Sequence, residues 1–114
     1  MKYLMLICVD GPFKADPAEL NVQPWLDEMH ERGVRLTGDR LRPAADATTV
    51  RVRDGEVLLT DGPFVETKEQ IGGFDVIECA NLDEAIEIAS KHPSAWYGTI
   101  EVRPIAGEHC QDFD

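Results

Sequence analysis

The sequence predicts an α+β fold built as one domain, and three observations carry that expectation. Apolar runs of strand length, at 3–9 and 74–79, are interleaved with two segments whose apolar residues recur at helical spacing. An Asp54-Gly55 pair divides two short strand-like runs, the signature of a tight hairpin. The length of 114 residues suits one domain with a single core.

The elements follow in order. Tyr3 to Val9, YLMLICV, is continuously apolar and ends at Asp10-Gly11-Pro12, which has turn chemistry, so it reads as a buried strand. Asp16-Pro17-Ala18-Glu19 offers an N-cap, a proline at the first helical position and a capping-box glutamate, predicting a helix from Pro17. Pro24 cannot donate a backbone bond and pushes Gln23 from helical angles, so a kink or two short helices is expected there. The main piece is Pro24 to Arg32, with Leu26 and Met29 inward and Gly33 as a left-handed stop. Val34 to Leu41 reads as a short irregular strand. Thr48–Arg53 and Glu56–Thr60 form the hairpin around a type I′ turn. Gly72-Gly73, permitting a bulge or close backbone approach, precedes a strand at Phe74–Cys79. Asn81 caps a second helix with Glu84 three residues on, and Leu82, Ala85, Ile86 and Ala89 recur at helical spacing until His92-Pro93 stops it. Gly98 to Ile105 is the last strand. This order is that of a ferredoxin-like sandwich with an inserted β-hairpin over residues 1–105, followed by an acidic tail at 106–114.

Twenty-two acidic residues oppose eleven basic ones, a net charge of −11. A nucleic-acid binder needs a basic stripe to neutralise phosphates, so DNA and RNA are not expected partners. No long apolar stretch suits a membrane span and the start lacks a signal-peptide cleavage region, which predicts a soluble cytoplasmic protein. Cys8, Cys79 and Cys110 are odd in number and lack CxxC spacing, arguing against a disulfide framework or structural zinc. Cys8 and Cys79 sit in strand-like runs as small hydrophobes. His109, Cys110 and Asp112 share the tail, where fraying is expected rather than a metal site. No glycine loop for phosphates is present, so no cofactor is expected.

Two helices cover one face of a sheet, yet the first strand has no polar alternation and asks for cover on both. A second copy would supply it, predicting a homodimer with a cavity between the sheets. In the last strand Ile100 and Val102 alternate with Thr99, Glu101 and Arg103, as Val50 and Val52 alternate with Arg51 and Arg53. Those charges either line the shared cavity or form solvated sheet edges.

Residues 58–73, LLTDGPFVETKEQIGG, carry the densest unusual chemistry. With TTVRVRDGEVLLT before it and GGFDVIECANLDEAIEIASKHPSAWYGTIEVRPI after it, this run resembles the YCII-related family, in its DGPF branch. The resemblance spans residues 1–105 and implies a dimeric α+β barrel of ferredoxin-like subunits. The wider group carries a His-Asp pair proposed as catalytic, and the register that matches VRLTG puts Asn21 at the family histidine. Asn cannot act as a general base, and His30 and His92 read as structural, His92 by capping and a helix-dipole contact. The motif residues Asp61, Gly62, Pro63, Phe64, Glu66, Thr67, Lys68 and Glu69 all match. One reading makes Asp61 and Glu66 proton-transfer groups, with Lys68, and Arg51 or Arg103, holding an anionic small molecule. The other makes a structural loop in which Asp61 caps the turn by bonding its own backbone. Asp10-Gly11-Pro12-Phe13 repeats the motif without the ETKE that follows the second copy. The family's frequent company with extracytoplasmic-function sigma factors offers a different role, a non-catalytic partner whose acidic surface steers basic proteins; a plain oligomeric scaffold is the third.

Overall fold

The computed structural model describes residues 1–10, 21–63 and 69–107. Its strands are β1 (Lys2–Asp10), β2 (Arg35–Arg40), β3 (Thr48–Arg53), β4 (Glu56–Asp61), β5 (Glu69–Glu78) and β6 (Thr99–Pro104). Its helices are α1 (Gln23–Glu31), α2 (Leu82–Ser90) and α3 (Pro93–Tyr97), with one 3₁₀ turn at Ala44–Asp46. Four strands form one sheet in the order β2-β5-β1-β6, every neighbouring pair antiparallel. This is the ferredoxin-like arrangement expected from the element order, with β3 and β4 pairing only with each other.

Cross-strand register sorts the sheet into two faces. Tyr3, Met5 and Ile7 lie opposite Ile77, Asp75 and Gly73 on β5 and opposite Pro104, Val102 and Ile100 on β6. That face joins Trp25 and Met29 of α1 and Ala85, Ile88 and Ala89 of α2 in the core. Burial of each large side chain contributes about 1.5–3 kcal/mol. The other face presents Leu4, Leu6, Phe74 and Val76 at its centre, half-buried, beside Glu101 and Arg103. No described element packs extensively on it, and the molecule measures 48 × 39 × 19 Å, two layers thick.

Local signals behave as physics predicts. Gly33 adopts φ 69° and ends α1, while Asp54 and Gly55, at φ 53° and 78°, make the type I′ turn. Asn81 accepts the Glu84 N–H at 3.0 Å, and the Glu84 carboxylate returns to the Ala80 N–H at 3.1 Å. Gly72 is the extra residue of a bulge, since Ile7 faces Gly73 and Cys8 faces Ile71.

Four expectations need correction. Trp25 joins Met29 as the inward residue of α1, and Leu26 is only half-buried, because the Trp25 indole N–H reaches the Ile88 carbonyl at 2.9 Å. In α2, Leu82 and Ile86 are exposed and Ile88 is inside with Ala85 and Ala89, small residues that let the helix approach the sheet. Pro93 does not merely stop α2; it opens α3, a position where its missing N–H costs nothing. The strand before Cys79 starts five residues earlier than Phe74, carried through the glycines by the bulge. The helix start at Pro17 and the tail at 108–114 lie outside the described residues. No helix among them is long and apolar enough to cross a membrane.

Candidate functional site

A cavity of about 530 Å³ opens beside β2, β5, α1 and the start of α3, with Ile7, Val22 and Leu26 among its apolar lining and Arg35, Asp75 and His92 among its polar one. Each polar group is delivered by a local feature of the chain. Gly33 turns the backbone out of α1 so that β2 begins at Arg35. The bulge at Gly72 sets the phase of β5, so that Asp75 and Ile77 lie on the face toward the helices and Phe74 on the other. His92 lies between α2 and α3, where the chain turns from one helix into the next.

Asp75 is 6% exposed, and its Oδ1 accepts from Arg35 Nε at 2.7 Å. Burial pushes the carboxyl above its usual range, and the Arg35 hydrogen bond opposes that only in part. Gly38 faces Asp75 directly across the β2–β5 pair. A Cβ there would collide with Asp75 Oδ1 and stand 2.6 Å from the Phe74 carbonyl oxygen and 2.8 Å from Arg35 Nη2. The glycine is the space the ion pair occupies. His30 Nε2 stands 3.5 Å from Arg35 Nη1 on the outer side.

His92, also 6% exposed, accepts the Ser94 N–H on Nδ1 at 3.0 Å, and its ring meets Trp25 edge-on at 4.8 Å. Burial holds its pKa down to about 4, so the ring is neutral. With Nδ1 accepting, the proton resides on Nε2. The capping expected of His92 is present but serves α3, and a neutral ring makes no charged contact with a helix dipole. No solvent-sealed side-chain N or O lacks a partner among the described residues. Asp75 Oδ2 and His92 Nε2, which have no protein partner there, are therefore open to solvent. The set can take or give a proton at Asp75 and donate an N–H from His92, with Arg40 also among the lining residues.

Of the site residues singled out by sequence, the described ones, Asp61, Arg51 and Arg103, lie away from this cavity. Asp61 ends β4 with an exposed side chain and no hydrogen bond to a described residue. The turn is held instead by Thr49, whose hydroxyl donates to the Gly62 carbonyl at 2.8 Å, and by the Gly62 N–H bond to Ala47 O at 2.7 Å. Arg51 is on the hairpin, while Arg103 is on the outer sheet face, bonded to Glu101 at 2.7 Å. None of these three lines the cavity. Glu66 and Lys68, the Asp10–Phe13 repeat beyond Asp10, and His109, Cys110 and Asp112 lie outside the described residues. Asn21 precedes α1, exposed, accepting from the Gln23 N–H at 3.1 Å. The site residues missed by sequence reasoning are Arg35, Gly38 and Asp75. Asp75 carried a usable signal, since in FDVIEC it alternates with Ile77 and Cys79 and a buried carboxylate needs a partner.

Residues 1–108 match the family model described as the YCII-related domain. An uncharacterised protein of Rhizobium meliloti (strain 1021) is 49% identical over 71 residues, covering 59% of this chain and 56% of that protein. The chain thus spans a little over half the length of that relative.

Proposed function

The chain belongs to the YCII-related family, and from that premise we propose that it is a DGPF-branch protein that binds a small molecule carrying an anionic or carbonyl oxygen, with Asp75 as the proton-transferring group. One observation carries this reading: a buried carboxylate, held at one oxygen by Arg35, leaves its other oxygen open beside a cavity that also receives a neutral histidine. A carboxyl whose proton affinity is raised by burial is better suited to proton transfer than an ordinary carboxylate, and a fixed Nε2–H is suited to an oxygen on which charge develops. The Asp61–Phe64 motif supports the branch assignment. The open apolar centre of the sheet, Leu4, Leu6, Phe74 and Val76, supports a homodimer joined sheet to sheet as a barrel. Lys68 and Glu66, which precede β5 in sequence, remain the groups the sequence offers for holding an anion.

Native mass spectrometry of the purified protein, after incubation with extract of its own cells, tests the reading. Wild type retains a small molecule that Asp75→Asn loses while its circular dichroism is unchanged. Retention by Asp75→Asn overturns the site, and loss from Lys68→Met identifies Lys68 as part of it. A second reading, a non-catalytic partner of an extracytoplasmic-function sigma factor, draws on the net charge of −11. It requires a bound basic protein and no retained small molecule.

A further inference from the structure

The β3–β4 hairpin is amphipathic in a way its own protomer does not use. Val50 faces Leu59 and Val52 faces Val57 across the pair, so four aliphatic side chains share one face. They are 59%, 67%, 55% and 64% exposed in that order, and every residue of the two strands except Thr49 is exposed. A lone two-stranded ribbon is at best marginally stable in water, and its rigid type I′ turn does nothing to hide an apolar face. The two legs of the hairpin are closed on each other at its base, where Thr49 and Ala47 bond Gly62.

We propose that this hairpin is an intersubunit arm whose apolar face packs on a second copy of the chain. The proposal rests on the dimer reading above and goes beyond it by naming the element that grips. Two features identify a second copy as the occupant. The first is area. Fully burying an aliphatic side chain removes on the order of 100 Å² from water, so the four hold roughly 250 Å² still to bury. That is about a third of the ~800 Å² each partner contributes to a standard interface. The hairpin adds this area to the open sheet face, whose central side chains are already half-buried. The second feature is charge. Residues 35–63 hold five arginines, at 35, 40, 42, 51 and 53, against five carboxylates, at 39, 46, 54, 56 and 61, and are neutral. The remainder of the chain carries the entire −11. Two such bodies repel one another, and the hairpin, with Arg51 and Arg53 against Asp54, Glu56 and Asp61 and a net charge of −1, is a segment that approaches a second body at little like-charge cost.

The test is a Val52→Glu/Leu59→Glu double variant, placed where charges are tolerated in the free protomer. Native mass spectrometry should show a wild-type dimer and a monomeric variant with unchanged circular dichroism. Hydrogen exchange of amides 48–61 in wild type should slow as protein concentration rises. A variant that stays dimeric, with concentration-independent exchange in the hairpin, overturns the arm and leaves the dimer standing. A wild type that is monomeric at every concentration overturns both, as does a monomer whose hairpin is protected only by lipid vesicles or by a different protein.

Discussion

His92 has committed its Nδ1 lone pair to the Ser94 N–H, and that one bond decides its chemistry. Protonating the ring in the native state puts the new proton on Nδ1 and breaks the bond from the Ser94 N–H, and burial makes the charged form costly, holding the pKa at about 4. In the unfolded chain the same ring titrates near 6.5, so the unfolded state binds the extra proton between those values. The stability His92 contributes is therefore complete above pH 6.5 and lost as pH falls through about 4, amounting to roughly 3 kcal/mol across the window. Thermal unfolding followed from pH 7 to pH 4 should show this decline in wild type and a much shallower one in His92→Gln. Asp75 runs the other way. Its raised carboxyl takes a proton more readily in the native state, so its contribution is present at low pH and lost as pH rises through its native value. An Asp75→Asn background removes that opposing slope and steepens the histidine's. Gly38 belongs to the same scale: a glycine inside a strand weakens it, and here the missing side chain makes room for a buried ion pair.

Between elements, α1 and α2 are clasped by charge on the outside of the helix layer. Arg32 bonds Glu87 through both amino groups at 2.8 and 3.1 Å and Glu28 at 3.2 Å, while Lys91 bonds Glu28 at 2.8 Å and Glu87 at 3.2 Å. These groups keep from 29% to 48% of their side-chain surface in water, so the clasp is sensitive to screening. Glu87→Gln should lower the melting temperature at low ionic strength, and calorimetry in molar salt should find the difference gone. At this scale the sequence was most readable where a signal is contained within a few residues. The Asp54-Gly55 turn, the Asn81 cap and the Gly33 stop each name their own geometry. The facing of α2 was not readable, because Leu82 and Ile86 keep the same spacing as the stripe that contains Ala85 and Ala89. Only contact with β1 and α1 chooses between them. The candidate site was least readable of all. Arg35 and Asp75 are forty residues apart in sequence, and nothing local says that β2 will lie against β5.

For the molecule as a whole, assembly and stability become one quantity if the open sheet face and the hairpin are both covered by a second copy. The melting temperature of wild type should then rise with protein concentration, and a midpoint constant over a hundredfold range of concentration would rule that coupling out. The four-stranded sheet is a partition with different business on either side: the Arg35–Asp75 pair and the helices on one, the Glu101–Arg103 pair and an apolar centre on the other. Strand β5 serves both sides by alternation, and the odd residue at Gly72 makes its two ends count differently. Ahead of Gly72 the odd-numbered residue Ile71 pairs with Cys8 on the outer side; beyond it the odd-numbered Gly73, Asp75 and Ile77 face inward. The glycine thus works as a parity bit. Were it an ordinary ladder residue, with the pairing ahead of it kept, Phe74 would replace Asp75 behind the helices and the carboxylate would pass through the wall.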